Sequence, residues 1–109
     1  MQALLIAAVL SNQLWFDTQT DADVYTVIPM TTLTRDCACE VSIAVSHRGR
    51  QGQSTSSQQG SLKLNANQPI SLGQMRFTMQ KGEWVQIIVT VKNSQGLRLE
   101  RQLIVPDNS

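Results

Sequence analysis

At 109 residues the chain can build one domain with its own core and no more. Charged residues make up 16% of it and the net charge is +1. That excludes an acidic disordered chain and gives no overall basic signal for nucleic acid.

The first residues, "MQALLIAAVLSNQ", contain an uninterrupted apolar run from Ala3 to Leu10. It is too short for the ~20 residues that a membrane-spanning helix needs. It fits the apolar region of a secretory signal, with Val9 and Ser11 as small residues before a cut near Ser11. Its start has only the terminal amine for positive charge, and an ordered N-terminal strand is the alternative. Export predicts a mature chain from Asn12 or Gln13, so residues 1–12 are read as a signal-like segment and 13–109 as the domain.

Strand patterns dominate the remainder of the chain. "LWFDT" (14–18) is short and aromatic, and "DVYTVIPMTTLT" (23–34) is dense in β-branched residues. Pro29 removes a ladder donor there and so marks an edge or a bulge. "CACEVSIAVSHR" (37–48) alternates: Cys37, Cys39, Val41, Ile43 and Val45 fall on one face, Ala38, Glu40, Ser42, Ala44 and Ser46 on the other. "GRQGQSTSSQQG" (49–60) has no large apolar residue and three glycines, and reads as a mobile loop. "SLKLN" (61–65) and "MRFTM" (75–79) are short alternating runs. "WVQIIVTVK" (84–92), the connection "NSQG" and "LRLERQLIV" (97–105) form the clearest hairpin, with Val85, Ile87, Val89 and Val91 sharing one face. Outside the signal-like segment no window longer than ten residues has helical periodicity.

Six or seven short strands separated by turn residues predict an all-β, immunoglobulin-like sandwich of about seven antiparallel strands in a single domain. The Cys…Trp…Cys spacing of antibody domains is absent, so packing alone must hold the two sheets together.

Charge is uneven along this chain. Up to His47, Arg35 faces Asp17, Asp21, Asp23, Asp36 and Glu40, a balance of −4; from Arg48 to Val105 it is +6. The asymmetry is either an ordinary solvated surface or a positive field on one sheet that steers an acidic partner.

The inventory argues against most enzyme chemistry. His47 is the single histidine, read as polar surface at a strand end, and no serine stands in a nucleophile-elbow context. No phosphate-cradling glycine loop appears. Asp21 and Asp23 precede a strand as turn residues, and the few aromatics are too scattered for a nucleic-acid stacking platform. No cofactor is expected.

"RDCACEV" (35–41) carries both cysteines one residue apart. In a flat strand residues i and i+2 are two rises of ~3.3 Å apart on one side. A disulfide wants Cβ atoms ~3.8 Å apart, so a Cys37–Cys39 bond must bend the backbone at the strand's entrance. Three readings stay open: two apolar fillers on the inward face, a disulfide without catalytic role, or a labile and partly exposed redox couple. For metal, His47 and the methionines do not complete a thiolate site, and no metal ligand set is expected.

The order of "LSNQ", "DVYTVIPMTTLT", the Cys-x-Cys strand, the Gly/Ser/Gln stretch, "LNANQPISL" and "VQIIVTVKNSQGLRL" resembles the curli assembly protein CsgC family over nearly the whole chain. The resemblance implies a periplasmic immunoglobulin-like domain that stops the major curli subunit from forming amyloid before export. It also implies an alternative, a thiol–disulfide oxidoreductase of the curli system acting through Cys37 and Cys39. "RQLIVPDNS" lacks the proline-rich tail of the family, and nothing is carried over there. The expected partner is the unfolded or early-amyloid curli subunit, bound by a monomer, with no nucleic acid and no membrane beyond export. The expected client-binding face is the outward side of the last hairpin, Gln86, Thr90, Lys92, Arg98, Glu100 and Gln102, joined by Arg76 and Lys81. Ile88 is the apolar exception on that face, which is expected to be mostly positive. The Gly/Ser/Gln stretch 49–60 is read as linker-like, with imitation of the client as the alternative.

Overall fold

A computed structural model describes residues 11–106. Most of the signal-like segment therefore lies outside the described residues. Eight strands follow one another: β1 (Gln13–Asp21), β2 (Val24–Thr32), β3 (Cys37–Gly49), β4 (Gly52–Leu64), β5 (Ile70–Ser71), β6 (Met75–Thr78), β7 (Trp84–Lys92) and β8 (Arg98–Val105). They form two antiparallel sheets, β1-β2 with β5 and β6 sharing the far side of β2, and β4-β3-β7-β8. The protein is an all-β sandwich in a single domain, with eight strands where about seven were expected.

Burial on β7 follows the period of two that its sequence shows. Val85, Ile87, Val89 and Val91 are all fully buried, and they meet Val27 and Leu14 from the opposite sheet. Cys37, Cys39, Val41 and Leu64 continue the same core toward β3 and β4. Thr31 is buried too, and its hydroxyl donates to the Gln13 carbonyl at 2.7 Å, which removes the penalty of burying it unpaired.

Pro29 stands in β2, an interior strand, rather than on an edge. The Leu72 amide donates to the Pro29 carbonyl at 2.9 Å, so Pro29's backbone polar side points toward the β5/β6 column. That column is interrupted there between Ser71 and Met75, and the missing proline N–H leaves no partner stranded. The "bulge" signature was a break in the neighbouring strand.

The larger correction concerns residues 49–60, read as a mobile loop. They are the turn and first part of a 13-residue strand, β4, paired with β3 from Gly49↔Gly52 to Cys37↔Leu64. The turn is only Arg50-Gln51, and Gly52 supplies a φ of +124°. The physical reason lies in the layer count. β1 packs against β8 at one side of the sandwich, whereas the Leu72–Gly73 stretch lies over Ile43 of β3 at the other. Among the described residues no element buries β4 along this stretch, and every residue from Gly52 to Lys63 is exposed. A strand wet on both faces has no apolar period to show, and backbone pairing to β3 holds it.

The last hairpin forms as expected. Asn93 Oδ1 accepts the amides of Gln95 at 2.9 Å and Leu97 at 2.8 Å, while Gly96 takes a φ of +99°.

Candidate functional site

The register of β7 and β8 brings six of the eight expected residues onto one outward face. Lys92 lies opposite Arg98, Thr90 opposite Glu100, and Ile88 opposite Gln102, with Gln86 opposite Ile104 at the far end. Alternation dictates this placement, because the intervening β7 residues are the buried valines and Ile87. Beyond Gln86, Arg48 of β3 pairs with Trp84, and its guanidinium carbon stands 4.9 Å from the indole centroid.

Arg76 and Lys81 do not join this face. Arg76 is exposed on β6, opposite Thr26 in the other sheet, where Val27↔Met75 is the inward pair. It therefore looks out from the reverse side of the sandwich. Lys81 lies in the β6–β7 turn. Nearness in sequence to the hairpin placed them wrongly, because the chain changes sheets between β6 and β7.

The face is also less positive than expected. Lys92 Nζ is 3.8 Å from Glu40 Oε2, and Arg98 Nη2 is 3.3 Å from Glu100 Oε1, which also accepts the Thr90 hydroxyl at 3.2 Å. Such exposed pairs contribute little to stability, but each carboxylate offsets a cation. The surface is a hydrogen-bonding strip of balanced charge with apolar points at Ile88 and Ile104, the latter 41% exposed. Ile104 and the Arg48–Trp84 contact were missed from the sequence. Strict alternation from Arg98 was the signal that could have placed Ile104 outward.

Cys37 and Cys39 form a disulfide with Cα atoms 5.3 Å apart, shorter than the ~6.6 Å of two flat-strand rises. The strand is contracted at its entrance, as a bond at this spacing demands. Of the three open readings, the inward placement and the disulfide are both found, and the partly exposed couple is not, since Cys37 is 7% and Cys39 1% exposed. Both belong to the hydrophobic core, and Asn93 Nδ2 donates to Cys37 Sγ at 3.8 Å. Exchange requires a thiolate to reach a sulfur, so this end of the sheet must open first.

His47 is half-buried rather than plain surface. Its Nε2 stands 3.3 Å from Glu83 Oε2, within ion-pair reach, although the angles do not make a hydrogen bond. Among the described residues no three His, Cys, Asp or Glu side chains are grouped so as to hold a metal ion, and no helix is long and apolar enough to cross a membrane.

Fold and face together define a small immunoglobulin-like sandwich whose described candidate site is an open strand surface rather than a catalytic cleft. The family model of the thin aggregative fimbriae synthesis protein matches residues 5–103, and the chain belongs to this Tafi-CsgC family, one of curli assembly. The curli assembly protein CsgC of Escherichia coli is 43% identical over 102 residues, covering 94% of this chain and 93% of that protein. Its Salmonella typhimurium counterpart is 44% identical over 102 residues, covering 94% of each. The solved structure described as E. coli curli protein CsgC - SeCys superposes with a TM-score of 0.81 at 40% identity, covering 89% of this chain and 100% of that one.

Proposed function

We propose that this protein is a periplasmic, chaperone-like binding module that keeps the major curli subunit from assembling into amyloid before export. The carrying observation is the outward strip of Gln86, Ile88, Thr90, Lys92, Arg98, Glu100 and Gln102, held in register on the hairpin and covered by no other strand among the described residues. Its alternating donors, acceptors and small apolar points suit brief, weak contacts with an unstructured chain. The sheet that bears it cannot be extended at β8. There Arg101 lies on the inward side, opposite buried Val89, between Leu99 and Leu103, and an inward charge on an edge strand blocks further pairing. A client held on the strip therefore gains no growing edge at β8.

Membership in a curli assembly family supports the choice of client. The disulfide suits an oxidising compartment and so supports the periplasm. Burial of both sulfurs favours binding without covalent chemistry.

The test is the lag time of amyloid-dye fluorescence for the purified curli subunit with catalytic amounts of protein. Lys92→Glu/Arg98→Glu should lose most of the delay that wild type gives, while Arg76→Glu, on the reverse face, should keep it. Equal delay by all three proteins would show that the strip does not bind the client.

A further inference from the structure

The two sheets have four edges, and three are guarded. β8 carries Arg98, Glu100 and the inward Arg101; β1 carries Asp17 and Asp21; the fourth column of the other sheet is broken into the two-residue β5 and four-residue β6. Charges, inward charges and short strands are the devices by which sheets avoid edge-to-edge pairing. β4 has none of them along most of its length. It is 13 residues long, pairs among the described residues only with β3, and carries neither charge nor proline from Gly52 to Leu62. Its outer row of backbone donors and acceptors is open to another strand.

The surroundings dictate the composition of such a strand. β4 overhangs the opposite sheet and is exposed on both faces, so a strand added beside it is wet on both faces as well. An apolar segment would gain nothing there, and a segment of amides and hydroxyls suits it. Gln53, Gln58 and Gln59 supply side-chain amides that can stack with Gln or Asn of a neighbour. One apolar point lies near the end: Leu62 is 42% exposed beside a shallow groove of Ile43, Gly60 and Leu72, and a β-carbon at Gly60 would meet nothing within 4 Å.

Charge decides the occupant. Arg50 in the turn and Lys63 near the other end bracket the edge, and neither has a carboxylate partner among the described residues. A second copy of this chain would bring cations to cations in either orientation: Arg50 toward Lys63 when antiparallel, like against like when parallel. A segment with acidic residues about a dozen positions apart would satisfy both ends.

We propose that the free edge of β4 is a docking site for an extended, uncharged, Gln/Asn/Ser-rich segment flanked by acidic residues, added as a fifth strand of this sheet. This rests on the proposed function, in which the segment belongs to the client. The outward strip makes fleeting contacts, and the edge holds a stretch of client in register on a finite sheet.

The probe is a pair of 14-residue peptides with the same Gln/Asn/Ser centre and either Asp or Lys at both ends, titrated into isotope-labelled full chain. The Asp-ended peptide should shift the amide resonances of β4, slow their hydrogen exchange and bind at least tenfold tighter than the Lys-ended one. Arg50→Glu/Lys63→Glu, altered only at exposed positions, should invert that preference. Equal binding of the two peptides, shifts confined to other strands, or concentration-dependent dimerisation through β4 without peptide would each overturn the proposal. Should the peptide dock while the full chain fails to delay curli fibres, the docking site stands and the proposed function falls. Should the full chain delay fibres while neither peptide docks, the proposed function stands and the docking site falls.

Discussion

Glu83 occupies the space that a side chain at Gly49 would need: a β-carbon there would lie 2.6 Å from Glu83 Oε2. The carboxylate fits against the bare backbone at the end of β3, where its other oxygen accepts the Gln80 amide at 2.7 Å and Oε2 faces His47. Glycine at 49 thus lets one side chain tie the β6–β7 turn to the end of the long hairpin.

Gly49→Ala should push Glu83 aside and release the Gln80 amide. The expected loss is ~1 kcal/mol, seen as a fall of about 4–8 °C in the melting midpoint. In a Glu83→Ala background the same substitution should cost almost nothing. A double-mutant cycle by thermal unfolding checks this, and additive losses would refute the coupling.

Asn93→Ala removes an acceptor for two backbone amides in the β7–β8 turn. The loss should be about 1–2 kcal/mol in urea unfolding, and Asn93→Asp, which keeps the acceptor oxygen, should recover most of it.

Neighbouring isoleucines on β7 offer a direct test of the register. Ile87 is fully buried and Ile88 faces out. Ile87→Ala should destabilise by ~2–5 kcal/mol, Ile88→Ala by roughly 1 kcal/mol or less. Comparable losses at the two positions would contradict the assigned faces.

These same residues show how much of the fold was readable in advance. β7 and the first part of β3 declared themselves because one face is buried and the other is not, which imposes a period of two on Val85 to Val91 and on Cys37 to Val41. The first part of β4, Gly52 to Gly60, could not be read, since no described layer opposite it selects apolar side chains. Only residues 61–65 showed an alternating run, and the rest is held by a backbone ladder that any polar sequence can form. Arg76 was misplaced for a related reason: local sequence assigns a residue to a face of its strand but not to one of two sheets. The cysteines were correctly placed on one inward face, while their bonding depended on a local contraction of β3 that residue identity does not encode.

Removing the sulfurs separates their structural contribution from any functional one. The bond closes a very short loop, so Cys37→Ala/Cys39→Ala should lose only ~1–2 kcal/mol from loop closure, with some further loss from the emptied core volume. The folded population should stay dominant at room temperature, as circular dichroism and unfolding midpoints will show.

The central claim is that the sandwich acts on its client by binding alone. Its most direct measurement is the amyloid-dye lag time of the curli subunit with substoichiometric wild type or folded Cys37→Ala/Cys39→Ala protein. Binding alone predicts equal prolongation by the two. Loss of the delay in the cysteine-free protein, with its fold intact, would contradict it and assign the activity to the disulfide.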